Sequence, residues 1–426
     1  MAYGVVDTAM TGHASAQDLA ALAIGSAIYY SVLVGLIGLV VSIGPILSQL
    51  YGAGDPRAIG RSFVQGLWVA LFGSLIGGAV ILFPGVWLDF AQVNDSLRAG
   101  ATHYLQALMF SLPPILLFRV IYALNTSISR PKAVMFINLG GLALKIPLNH
   151  MLIYGAWGAP ALGATGCGIS TAIVTWLTCA MGFVTLRYDS FYRPFEIRAA
   201  RPSWEPLREI LRLGIPTALS YLIENTSFTL MALIIARLGA VSTGAHQIAI
   251  NLAATLYSVP FALAVAISTL VGQAIGSADK AGAQHFLVVG FRIALGCAAL
   301  IALSLYGLRG WLVSFYTNDP AVAQIALGLL AVVAFNHFFD TAQTVAGFAL
   351  RAYKHAIAPM LVYTFCLWGI GLVGGYQLTF HGGLGMSAQG ARGVWIGTTA
   401  GLLVAALALI ATLGRVARAP LRPVLH

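Results

Sequence analysis

Charge is what this chain has least of. Only 8% of its 426 residues are Asp, Glu, Lys or Arg, against about 25% in a soluble domain. A water-soluble fold this apolar could not cover its own surface. The stretch from Leu19 to Leu50 holds no charged residue at all, and uncharged runs of 18 or more residues recur, each long enough to span a bilayer as a helix. Cysteine is scarce as well. Cys167, Cys179, Cys297 and Cys366 all lie in apolar stretches without CxxC spacing, which argues against a disulfide framework or a cysteine-ligated metal and leaves them as small packing residues. No Walker loop, HExxH or GxSxG is present, so ATP-driven transport by this chain alone and intramembrane hydrolysis lack their chemistry. We read the chain as no enzyme, without a cofactor. No basic region and small-residue cleavage site precede the first apolar run, so no cleavable signal peptide is expected.

What the chain does hold is apolar length, glycine and a lopsided set of bases. Its 47 glycines suit helices that pack closely in a membrane. The apolar runs place segments at 1–13, 20–50, 60–83, 97–126, 132–153 and 162–187, then at 207–237, 244–275, 284–308, 320–350, 355–377 and 388–414. The second set repeats the first. At a constant shift of 224 residues, Gln49, Gly52 and Asp55 fall on Gln273, Gly276 and Asp279, Trp87-Leu88 on Trp311-Leu312, and Asn94-Asp95 on Asn318-Asp319. Six segments per copy is an even number, so both copies have one orientation and are related by an axis along the membrane normal, with a substrate site between them near mid-membrane. The expected architecture is all-α and integral to the membrane: twelve transmembrane helices as two six-helix lobes in a parallel pseudo-twofold repeat. The boundaries are an N-terminal lobe at 1–187, a linker at 188–206, a C-terminal lobe at 207–414 and a tail at 415–426. The seventh segment begins near Leu207, so at the same shift its counterpart would start before Met1, and we expect a first helix short by about four or five turns at 1.5 Å per residue.

The net charge is +10, from 23 Lys and Arg against 13 Asp and Glu. The bases sit in short loops between apolar runs, which makes them topology signals and gives no reason to expect nucleic acid as a partner. Most cluster on one side, including Arg57, Arg61, Arg130, Lys132, Arg187, Arg193, Arg351, Arg415 and Arg422; the other side holds Arg98, Arg237, Arg309 and Arg392. The richer side is expected to be cytoplasmic. Both termini and the linker, with Pro194, Pro202 and Pro206, then lie inside, in a multi-pass protein of the inner cell membrane. No obligatory protein partner is evident; the lipid bilayer is the surrounding.

Of the acids, only Asp7, Glu224 and Asp340 fall within spans. A charged residue at mid-bilayer costs roughly 2.5–3.5 kcal/mol on insertion scales, so it faces a cavity or a partner. Carboxylates there bind protons or Na⁺, and the alternative is a structural ion pair. Glu224 and Asp340 lie in the same half and can form one pocket, a metal site if the ion is Na⁺. Asn336 lies one helical turn before Asp340 on the same face and offers an amide oxygen. In the first half, Lys145 could pair with Asp7, or its long side chain could snorkel towards water. Prolines at 45, 113, 114, 147, 216 and 260 mark kinks or breaks. Aromatic residues such as Tyr257, Phe261 and Phe339 would suit a wall that stacks on flat, lipophilic cations, although most membrane aromatics only pack.

Several stretches together resemble the multidrug and toxic compound extrusion (MATE) family, in its NorM-like branch. Val6-Asp7-Thr8-Ala9-Met10-Thr11-Gly12 followed by Asp18-Leu19-Ala20-Ala21 looks like the family's opening, and Gln49-Leu50-Tyr51-Gly52-Ala53-Gly54 like its turn after the second helix. Ile146-Pro147-Leu148-Asn149, Gly163-Ala164-Thr165-Gly166-Cys167-Gly168, Ala245-His246-Gln247 and Asp340-Thr341-Ala342-Gln343 continue the resemblance over nearly the whole chain. It implies a V-shaped pair of six-helix lobes exporting lipophilic cationic drugs or dyes against Na⁺ or H⁺ by alternating access. The acids matching Glu224 and Asp340 would form the cation site of the second lobe, and Asp7 would serve coupling in the first with Asn149 as a neighbour. The sequence departs from the pattern at Lys145, where a neutral polar residue is expected; a lysine beside Asp7 could supply the charge of a bound cation, which favours coupling through Glu224 and Asp340. The rival readings are a major-facilitator-type transporter, whose loop GAGDPRAIGR is matched only loosely, and a lipid-linked sugar flippase of the same superfamily, which would need a strongly cationic cavity.

Overall fold

The computed structural model describes residues 2–90, 92–383, 385 and 387–420. Met1, Arg422 and the tail residues 421–426 lie outside them. The chain is built of α1 (Ala2–Ala14), α2 (Ala16–Val41), α3 (Ile43–Gly52), α4 (Pro56–Ile81), α5 (Pro84–Phe90), α6 (Asp95–Met109), α7 (Leu112–Ser127), α8 (Pro131–Tyr154), α9 (Gly163–Tyr188), α10 (Trp204–Ala236), α11 (Ala240–Gly276), α12 (Lys280–Tyr316), α13 (Pro320–Ala352), α14 (Ile357–Tyr363), α15 (Gly375–Phe380) and α16 (Ala391–Arg418). Ten of the described helical runs are long and apolar enough to cross a membrane, with α2 and α3 forming one run and residues 357–380 another. The pair α6 and α7, bent by 43° beside Pro113, makes an eleventh. The short α1, at 13 residues, stands where the first segment was expected. The all-helical, many-span architecture is thus as the sequence predicted. Exposed Leu300, Leu303, Leu308, Trp311 and Phe315 along α12 form an apolar face of the kind that lipid, rather than water, covers.

Two compact units emerge from the packing. One holds the described residues up to Leu47 together with Asp55–Gly214; the other holds Ser48–Gly54 and the chain from Ile215 onward. Equivalent positions of the sequence repeat adopt equivalent local structure. Asp55 and Asp279, 224 residues apart, cap α4 and α12 by accepting hydrogen bonds from the N–H groups of Ala58 and Gly282. Before each cap stands a residue at positive φ, Gly54 at 72° and Ala278 at 58°, so the second copy makes with alanine a left-handed turn that glycine makes freely in the first.

The segment predicted as a solvated connection is held down within the first unit. Gln65 of α4 donates through Nε2 to the carbonyl of Arg201 and accepts through Oε1 from the N–H of Ser203, while Trp68 Nε1 donates to the carbonyl of Ala200. Tyr192 is buried and donates to Asn125 Oδ1 at 2.6 Å. Arg130 pairs with Asp189 at 2.9 Å and lies 4.2 Å over the Phe191 ring.

Breaks occur near some of the prolines that predicted them, not at others, and once with no proline at all. The α2–α3 run interrupts at Ser42, three residues before Pro45, while Pro147, Pro216 and Pro260 sit inside continuous helices. Between α14 and α15, residues Thr364–Gly374 widen into a π-helix with no proline. The signal was the cluster of glycines at 369–375, of which Gly371 and Gly375 lie against Gly397 and Gly401 of α16. A Cβ on Gly397 would come within 2.4 Å of the Gly375 backbone. This is close small-residue packing of the type membrane helices use.

Candidate functional site

In the second unit, Glu224 stands in the middle of α10 and Asp340 in the middle of α13. Both line one small cavity with Ser227, Thr398 and the apolar side chains of Phe228, Met231, Leu367 and Leu402. It has room for about one water. Leu367 belongs to the π-helical segment, so the widened helix supplies part of the wall. Both acids are half-buried, and around them runs a polar network. Gln343 Nε2 donates to Asp340 Oδ1 at 2.8 Å and to Thr344 Oγ1 at 3.1 Å, and Thr344 Oγ1 donates to the Tyr257 hydroxyl at 3.4 Å. Gln343 Oε1 is buried with no hydrogen-bond partner among the described residues. A cavity lined by two carboxylates and two hydroxyls is chemically a hard-oxygen cation site or a proton acceptor.

Asn336 is placed elsewhere in the same unit: its amide nitrogen donates to Thr399 Oγ1 at 3.2 Å, and it does not line the cavity. Tyr257 lies 6.1 Å from Phe261, whose ring meets Phe348 edge-on at 5.4 Å. Phe339 packs against the same apolar cluster and meets Phe338 edge-on.

Arg351, grouped by the sequence with the bases at helix ends, is in the last turn of α13 but is 5% exposed. Its guanidinium lies 4.7 Å from the Phe348 ring and 5.1 Å from the Tyr221 ring, and its Nε and Nη1 have no hydrogen-bond partner among the described residues. Tyr221 stands one helical turn before Glu224 on α10, so the guanidinium lies in the neighbourhood of that acid. Loop-counting missed this residue because a helix end says nothing of which way a side chain turns; the only signal was an arginine directly after ten residues without a charge, Thr341 to Leu350.

The first unit has a different arrangement. Lys145 on α8 is completely buried, and its Nζ lies 3.0 Å from Asp7 Oδ1 on α1. Nζ also donates to Thr171 Oγ1 and, at 3.4 Å, to the Cys167 carbonyl, both on α9. Asn149, one turn after Lys145, donates to the same Asp7 oxygen at 2.8 Å and accepts from Ser170 Oγ. Thr11, one turn after Asp7, is fully buried and its hydroxyl has no partner among the described residues. Lys145 therefore does not snorkel. Breaking such a buried pair by removing one member leaves the other charge stranded, at a cost of about 3–5 kcal/mol. The cysteines are free, as read: Cys167, Cys179 and Cys366 are buried and Cys297 partly so.

Comparison with known proteins adds what geometry cannot. The MatE family model matches residues 1–151 and 216–377. A probable multidrug resistance protein NorM of Aromatoleum aromaticum is 42% identical over 382 residues, covering 88% of this chain and 82% of that protein. Its namesake in Pasteurella multocida is 36% identical over 424 residues, covering 98% and 90%. Among solved structures, the eukaryotic MATE transporter AtDTX14 superposes with a TM-score of 0.87 at 18% identity, over 98% of this chain and 93% of that one. The Vibrio cholerae MATE transporter VcmN in its bent form gives 0.86 at 17% identity, over 98% and 93%. These two show the fold; the family match and the relatives' identity show the kinship. The chain is a multi-pass membrane protein and belongs to the MatE family of secondary transporters.

Proposed function

We propose that this protein exports lipophilic organic cations, drugs or dyes, in exchange for inward Na⁺ or H⁺, with Glu224 and Asp340 as the ion-coupling pair. The observation that carries the reading is that two mid-span carboxylates from α10 and α13 share one small cavity, where neither is needed to hold an ion pair. The relatives named for multidrug resistance support the substrate class. An ion entering this cavity gains two carboxylates and the hydroxyl oxygens beside them. Its binding changes how α10, α13 and the π-helical segment pack. A drug that binds better to the ion-free packing is then released by the ion, and by linkage the drug weakens ion binding by the same factor. Tyr257, Phe261 and Phe339 are the aromatic surfaces we assign to cation stacking. The bias of bases to one side supports an inner-membrane protein with both termini in the cytoplasm.

The test is ethidium export by the purified protein in proteoliposomes, under an imposed Na⁺ gradient and separately under a proton gradient. Export driven by one of the two and lost in Glu224→Gln and Asp340→Asn is expected, and names the ion. Full coupling in either variant defeats the site assignment, and no export of cationic dyes under either gradient defeats the substrate class.

A further inference from the structure

The first unit holds a cage that resembles a cation site in every respect but its occupant. Around one point, between α1, α8 and α9, three oxygens converge: a carboxylate oxygen of Asp7, the Thr171 hydroxyl and the Cys167 carbonyl. This mix of charged, hydroxyl and carbonyl oxygen is what a small hard cation takes. At that point sits Lys145 Nζ. An ammonium has three N–H donors and no acceptor, and here three oxygens lie within reach of those three donors. Asn149 supports the cage: it donates to Asp7 Oδ1 and itself accepts from Ser170.

We propose that Lys145 is a tethered substitute for a bound monovalent cation: the first unit contains an Asp7-centred cation site of the Na⁺ class whose occupant is covalently attached. A mobile ion can leave and let three helices part, whereas an ammonium on a four-carbon stem cannot leave the cage by diffusion. The first unit therefore binds no exchangeable cation at Asp7, and deleting the ammonium creates such a site. This does not depend on the coupling role assigned above to Glu224 and Asp340.

The experiment is equilibrium binding of radiolabelled Na⁺ to the purified full chain in detergent, for the wild type, Asp7→Asn, Lys145→Gln and the double variant Asp7→Asn/Lys145→Gln. Lys145→Gln is expected to bind one more Na⁺ per chain than the wild type, with the increment abolished in the double variant and kept when Glu224→Gln is added. Asp7→Asn alone is expected to leave Na⁺ binding unchanged. A monodisperse Lys145→Gln that binds no more Na⁺ than the wild type overturns the proposal. So does a wild type that loses a bound Na⁺ on Asp7→Asn, a comparison that holds even if Lys145→Gln does not fold. Because the increment is read as a difference, it survives whether the second unit proves to use Na⁺ or H⁺, and a failure of dye export leaves it intact.

Discussion

Gly52 and Gly276 make the same contact in opposite directions. A Cβ on Gly52 would come within 1.9 Å of the Gln273 carbonyl oxygen, and a Cβ on Gly276 within 1.9 Å of the Gln49 carbonyl oxygen. Each glycine thus presses on the glutamine three residues before the other, and the four residues are two pairs of the 224-residue repeat. Backbone meets backbone here, so no flexible side chain can yield. Gly52→Ala and Gly276→Ala are each expected to destabilise the protein by about 1–3 kcal/mol. Gly296 of α12, with open space around it, is the control: its alanine variant should be neutral or slightly stabilising. Thermal unfolding in detergent, followed by tryptophan fluorescence, compares the three; equal melting temperatures would falsify the packing argument.

Gln65 is expected to protect the connection it holds. With Gln65→Ala, the carbonyl of Arg201 and the N–H of Ser203 lose their partner. Limited digestion with trypsin should then cut faster after Arg198, which lies in an irregular stretch. An unchanged cleavage rate there would mean that Trp68 and Tyr192 hold the segment unaided.

Arg351 opposes a cation at Glu224 because like charges repel across a medium less screening than water. Replacing it with methionine, which keeps most of the side chain's length, is expected to strengthen ion binding, lowering the half-saturating ion concentration for dye export several-fold. Arg351→Lys should stay near the wild type. A rise in that concentration for the methionine variant would show that the guanidinium supports the carboxylates rather than competing with their ion.

Asp189, at the cytoplasmic end of α9 in the proposed topology, should contribute to stability only above acid pH. The N–H of Phe191 and then the Arg130 guanidinium hold its carboxyl below the usual carboxylate range. A depressed folded-state pKa adds stability that is present above the unfolded value, about 3.9, and is lost as pH falls through the lower folded value. The difference in melting temperature between wild type and Asp189→Asn should therefore be small, since the group is partly open to solvent, and should vanish as pH drops below that range. A difference that persists or grows in acid would place the effect elsewhere.

The many-span character and the internal repeat were legible because each is a local property: a run of apolar residues must be a helix if its backbone is to be satisfied in lipid, and a repeat is visible as identities at one shift. Asp55 and Asp279 were visible in the same way as a repeated pair, though not as caps. The three intramembrane acids stood out because so few charges enter the spans at all. Pairings were not legible. Lys145 had two open readings, a partner of Asp7 or a snorkelling chain, and only the placing of α1 beside α8 and α9 decided for the pair. Asn336 shares a helical face with Asp340, yet its amide turns to Thr399, because a shared face fixes a direction only within about a quarter of a turn. Arg351 looked like a helix-end base and is buried over two aromatic rings; the π-helix between Thr364 and Gly374 carries no proline to announce it. The sequence by itself determined which segments lie in the membrane and which charges must find shelter there, since the desolvation of a charge is large whatever its neighbours. Only the tertiary structure decided which charge shelters which, because that depends on how helices far apart in the chain are set side by side, over distances of a few ångströms that no pattern of residue types encodes.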